Sequence, residues 1–225
     1  MKEPLTLAQE FVLLASDATT HGWRKPRRAY LQTYAAGAVL IGLLDEEAIR
    51  IEEKGKLAVA RHHFNGDEAS RVMLRILEQA GKKTLKQWIQ SFYARGKNRS
   101  QVFQAVVKPL LCNGDLKEEK VRVWFLIPVS RYVPSAATKD RIVQRIRAEL
   151  LEEGPITRQT ALLTMMLDMS KLLKAYFSEY EQNELRKRLQ RLQEEQGDHW
   201  KSVHLIRKAI EEFNAVIVSV TTAAS

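Results

Sequence analysis

This chain of 225 residues contains one cysteine, Cys112, so no disulfide can form within it. Such cysteine usage predicts a reducing compartment. Cys112 lies inside the apolar run VVKPLLCNG and reads as a small buried hydrophobe rather than a nucleophile. No apolar run reaches the ~18 residues that a membrane span needs. The opening MKEPLTLAQE lacks the basic start, long apolar centre and small-residue cleavage site of a signal peptide. The expected location is therefore cytoplasmic, with any membrane contact peripheral.

Catalytic spacings are missing as well. There is no HExxH, CxxC or GxSxG. Gly81-Lys82-Lys83-Thr84 lacks the earlier glycine of a phosphate loop and reads more simply as a helix end with solvated lysines. Adjacent His62 and His63 would point to opposite faces of a strand, and His199 and His204 have poor helical spacing for a shared metal. Asp45-Glu46-Glu47 and Glu152-Glu153 read as solvated carboxylates at helix ends. The expectation is no catalytic residue, no metal and no cofactor. Low-complexity segments, linkers and repeats of fixed period are absent too, which predicts one domain over residues 1–225.

What the chain does have is positive charge and helical periodicity. Lys and Arg number 36 against 27 Asp and Glu, a formal net charge of +9. That excess attracts polyanions, although a solvated face with a basic bias would have the same composition. Thr6-x-x-Gln9 reads as a capping box ahead of an apolar helix through Ala15. The basic cluster Trp23-Arg24-Lys25-Pro26-Arg27-Arg28 follows, kept out of helix by Pro26. From about Arg28 to Leu44 runs a helix that is apolar on most sides and rich in small residues, hence central. Residues 48–60 read as a hairpin, Asn65-Gly66-Asp67 as a helix start, and Thr84-x-x-Gln87 as a second capping box. Arg95 to Arg99 reads as a basic loop before a helix ended by Asn113-Gly114. Leu116 to Pro128 reads as a hairpin whose second arm, Val121 to Ile127, is nearly continuously apolar. From Ser135 onward the pattern is helical, with Gly154-Pro155 as a stop, and Lys201 to Val220 closes the chain. The fold class expected is mostly α, a single multi-helix domain with small peripheral β-hairpins.

In order along the chain, LTLAQEFVLLASD, AGAVLIGLLDEEAIRIE, KQWIQ, KPLLCNGDL with VWFLIP, KDRIVQRIRAEL and QTALLTMMLDMSKLLKAYF resemble the Golgi phosphoprotein 3 family. The resemblance rests on collinearity rather than on one short motif. It implies a helical domain without enzymatic activity. Members bind phosphatidylinositol 4-phosphate through a basic pocket and project a hydrophobic hairpin used in membrane insertion or self-association. The family's pocket takes a tryptophan and an arginine around the central helix and two arginines in a later helix. This sequence has Arg27, Ala36, Ser100 and Phe103 there, with Trp23 and Arg99 nearby. The arginine-rich N-terminal extension of eukaryotic members has no counterpart, so the chain reads as a minimal, bacterial-type member.

The residues singled out for an anionic headgroup are Trp23, Arg24, Lys25, Arg27 and Arg28, with Arg95, Lys97 and Arg99 as a second segment. Val123, Trp124, Phe125 and Leu126 are the candidates for lipid insertion or a homo-oligomer contact through the 116–128 hairpin, against burial in the protein's own core. The partner expected is an anionic membrane lipid, a phosphoinositide being the class implied. A rival reading makes Thr84 to Ile127 a winged helix, with Gln101 to Lys108 as its nucleic-acid reader. A third makes the C-terminal helices a protein–protein adaptor.

Overall fold

The computed structural model describes residues 4–18, 28–61, 64–123, 127–152, 154–194, 211, 212 and 215. His62, His63, most of the 24–28 cluster and nearly all of the 201–220 segment thus lie outside the described residues. The protein is mostly helical. Eight α-helices and two antiparallel strand pairs occur among the described residues: α1 Leu7–Ala18, α2 Arg28–Asp45, β1 Ile49–Ile51, β2 Leu57–Val59, α3 Glu68–Ala80, α4 Leu85–Ala94, α5 Gly96–Cys112, β3 Leu116–Val123, β4 Ile127–Pro134, α6 Ala136–Leu150, α7 Arg158–Met169 and α8 Glu179–Glu194.

Local chemistry sets these boundaries. At α1, Thr6 N–H donates to Gln9 Oε1 at 3.0 Å and Gln9 N–H to Thr6 Oγ1 at 3.4 Å. Thr84 and Gln87 make the same reciprocal pair at α4. Each box satisfies donors that a helix start leaves without partners. Asp67 caps α3 by accepting from Ser70 N–H at 2.8 Å. Gly114 turns the chain out of α5 at φ +72°, a conformation glycine adopts without a Cβ clash.

The central helix is α2. Tyr34, Ala35, Ala36, Ala38, Val39, Leu40, Ile41 and Leu43 are all buried, because α1, α3, α4 and α5 pack around it. Phe11 of α1 stacks on Tyr34 at 5.7 Å between ring centroids. Burying one such side chain contributes about 1.5–3 kcal/mol. Charge also crosses the interfaces: Arg145 of α6 holds the buried Glu10 of α1 with both Nη atoms, at 2.8 and 2.7 Å. Arg147 donates to Glu181 at 2.8 Å, tying α6 to α8 and holding that carboxyl down to a pKa of about 2.

Three expectations need correction. The long hairpin is longer than its sequence suggests, and its arms differ. The first arm is Leu116–Val123 and the second is Ile127–Pro134, in the register Glu118↔Tyr132 and Val123↔Ile127. The run VWFLI is therefore divided: Val123 ends the first arm and Ile127 begins the second. Apolar continuity had suggested a strand, but backbone pairing decides where a chain reverses. Arg95 to Arg99 is not a loop. Arg95 alone separates α4 from α5, and Lys97, Asn98 and Arg99 form the first turn of α5. Cys112 is exposed rather than buried. The buried face of α5 runs through Val102, Phe103, Val106, Val107 and Leu110, and two residues beyond Leu110 the helix has turned about 200° away.

Candidate functional site

Lys97 is exposed on the first turn of α5, and the exposed Arg95 stands immediately before it. No side chain caps this helix start, so its leading N–H groups add a partial positive charge to the two cations. Neither Arg95 nor Lys97 makes an ion pair among the described residues.

Arg99 is placed differently. Its Nε donates to Gln32 Oε1 at 3.2 Å, and its Nη1 donates to the carbonyl oxygens of Phe92 at 3.3 Å and Tyr93 at 2.7 Å. Burial lowers its pKa from the usual guanidinium value, with the Tyr93 charge opposing that shift. The side chain closes the C-terminal carbonyls of α4 and clamps them to α2. Its Nε and Nη1 are thereby engaged within the fold.

That clamp has a geometric consequence. Gln32 is one helical turn, about 6 Å, from Arg28, the last residue of the basic cluster and the first of α2. Arg28 thus begins α2 one turn before the residue that Arg99 of α5 holds. The remaining members of that cluster, Trp23, Arg24, Lys25 and Arg27, lie outside the described residues.

The long ribbon, β3 with β4, is anchored at its base. Its base is fixed: Thr138 Oγ1 donates to Asp115 Oδ1 at 2.7 Å, and Ser135 N–H to Asp115 O at 2.9 Å. Asp115 N–H donates to Leu110 O at 2.9 Å, near the C-terminal end of α5. Farther out, Tyr132 of β4 meets Phe103 of α5 edge-on, with centroids 5.6 Å apart. β4 also packs against α1, so the base of the ribbon rests on both helices. Lys117, Glu118, Glu119 and Lys120 are all exposed. Consecutive strand residues point to opposite faces, so β3 is uncovered on both faces over these four residues, while β4 lies against α1. Seven residue steps carry Val123 about 24 Å from the base. Trp124, Phe125 and Leu126 connect Val123 to Ile127 and lie outside the described residues.

The opposite end of α2 carries a cleft of about 550 Å³, whose lining includes Asp45, Glu46, Asp67 and Arg61. Asp45, expected as a solvated carboxylate, is half-buried and forms an ion pair with Arg158, Nη2 to Oδ1 at 2.5 Å. Loss of water around Glu46, then repulsion from Asp67 and Asp45, raises its pKa above the ordinary 4.5. No group of three or more potential metal ligands occurs among the described residues, and no described helix is long and apolar enough to cross a membrane.

Gln101, Gln104 and Lys108 form an exposed stripe on α5, but the connection from α4 is a single residue. A helix-turn-helix reader has a three- to four-residue turn there. A family model described as Golgi phosphoprotein 3 (GPP34) matches residues 7–213 of the chain. No curated protein matches it.

Proposed function

The chain belongs to the Golgi phosphoprotein 3 family, and from that premise we propose that it is a non-enzymatic peripheral membrane protein. It docks on anionic phosphorylated headgroups, phosphoinositide-like in class, from the cytoplasmic side. The basic end of α2 supplies the contact. Arg24, Lys25, Arg27 and Arg28 come from one side and Arg95 and Lys97 from the other, while Trp23 offers an aromatic ring suited to the bilayer interface.

One observation carries this reading: the Arg99–Gln32 hydrogen bond, which joins the start of α5 to the first turns of α2. The two cationic segments are far apart in sequence, and this bond supports their acting together. The ribbon adds a second contact, with Val123 to Leu126 entering the interface or pairing with a second copy. A lone two-stranded ribbon is marginal in water, so a partner at its far end would stabilise it.

Co-sedimentation with phosphatidylcholine vesicles, with and without an anionic phosphoinositide, tests the proposal. Binding should need the anionic lipid and weaken as salt rises, because exposed charges are screened beyond a Debye length. Equal binding to both vesicle types would sink it.

A further inference from the structure

The inward face of α4 is apolar: Leu85, Trp88, Ile89 and Phe92 are buried at helical spacing. Its outer face forms an open trough of about 540 Å³. Its lining includes the small Ser91 and Ala94, the amides Gln87 and Gln90, and the cations Lys83 and Arg95. From Gln87 to Ala94 the helix advances about 10 Å.

The charge of this trough's lining favours an anion. No Asp or Glu occurs anywhere between Glu78 and Asp115. Lys82, also on the rim, is already neutralised by Glu52 of the neighbouring hairpin at 2.6 Å. Lys83 is held in place, its ammonium 4.6 Å from the centre of the Trp88 ring. The capping box biases the trough further. Gln87 Oε1 accepts from Thr84 N–H at 3.0 Å, so the acceptor atom is occupied and the amide NH₂ remains to donate.

Arg95 belongs both to this trough and to the basic end of α2, so the two surfaces are continuous. We infer that the trough binds a second phosphate group, a mono- or diester of an anionic bilayer, while the α2–α5 end holds the first. This rests on the membrane reading above. A nucleic acid would suit the trough less well: Trp88 is 1% exposed beneath Lys83 and offers no face for base stacking. Two phosphate contacts on one rigid surface would make binding steeper in salt than either alone.

The test uses Ser91→Glu and Lys83→Glu in the full chain, both outside the α2–α5 end, with phosphatidylcholine vesicles containing phosphatidic acid. Each variant should lose at least about fivefold in binding, the contribution of one basic side chain near an anionic surface, and should show a shallower salt dependence. Lys83→Glu also disturbs the Trp88 contact, so Ser91→Glu with an unchanged circular dichroism spectrum is the deciding variant. If the wild type binds and Ser91→Glu binds equally well, the trough assignment is overturned and the α2–α5 reading stands. If the wild type ignores anionic vesicles, both fall. Inorganic phosphate that saturates the Gln87 side-chain amide resonances without vesicles would overturn the lipid source. Duplex DNA whose retention Ser91→Glu abolishes, with vesicle binding unchanged, would overturn it in favour of nucleic acid.

Discussion

The two ends of α2 lie about 27 Å apart and carry opposite charges in the less favourable sense. A helix prefers acids at its start and bases at its end, by about 0.3–1 kcal/mol per charge. Here Arg28 opens α2 after a basic cluster, and Asp45, Glu46 and Glu47 stand at its end. No acid occurs in the first turn and no base in the last. Helix stability did not select this arrangement. At the acidic end the protein compensates with its own cation, Arg158 on Asp45. At the basic end no acid is nearby in sequence, since residues 18–44 and 79–114 contain no Asp or Glu. The acidic end is therefore partly neutralised within the fold. At the basic end Arg95 and Lys97 are exposed and make no ion pair among the described residues.

The largest expected effect comes from removing that contrast. Changing Arg24, Lys25, Arg27 and Arg28 to Glu should reduce partitioning onto anionic vesicles roughly a thousandfold, at about 1 kcal/mol for each basic side chain lost. The thermal midpoint should hold, and unchanged sedimentation would show that the basic end is not the dock. At the other end the effect should reverse in kind. Arg158→Met leaves half-buried Asp45 without its cation and should cost about 1–3 kcal/mol in urea unfolding, with vesicle binding intact.

Arg99 and Lys97 sharpen the contrast between positioning and contact. Arg99→Ala removes donors to Gln32, Phe92 and Tyr93 and should destabilise by about 1–2 kcal/mol. Arg99→Lys should not rescue it, because an ammonium lacks the planar fork that reaches two helices at once. Lys97→Ala should leave unfolding unchanged and cost about fivefold in vesicle binding.

The smallest effect belongs to Glu46. Its raised pKa means that the folded state binds a proton more tightly than the unfolded chain. Stability should therefore fall as pH rises from the ordinary value of 4.5. Glu46→Gln should flatten that slope, by less than about 1 kcal/mol because the side chain is exposed to screening. A steeper loss in the variant would contradict the like-charge account.

Much of the fold was legible because its signals are local. The Thr6–Gln9 and Thr84–Gln87 boxes, the Asp67 cap and the Gly154-Pro155 break each act within one turn of chain. Family membership was legible from collinear apolar patterns along 7–213. The ribbon's arms were misread because VWFLI looks like a strand, while the pairing of Glu118 with Tyr132 spans residues that one-dimensional periodicity does not relate. Cys112 was misread through its apolar neighbours, although helical phase from Leu110 would have turned it outward. Lys83 reads in sequence as a solvated helix-end lysine once a phosphate loop is set aside, and Ser91 carries no motif, yet the acid-free stretch between Glu78 and Asp115 was a signal that could have found them.

By itself the amino-acid order determined where the capped helices start, which faces are apolar, and that the chain is cationic, since propensity, capping and net charge act through near neighbours. Only the tertiary structure decided which cations remain available. Arg99 is occupied because Gln32, 67 positions away, is brought to its guanidinium. Lys97, two residues earlier, stays exposed on the outer side of the same turn. Availability depends on the directions in which side chains meet across packed helices, and those directions exist only once the helices have packed.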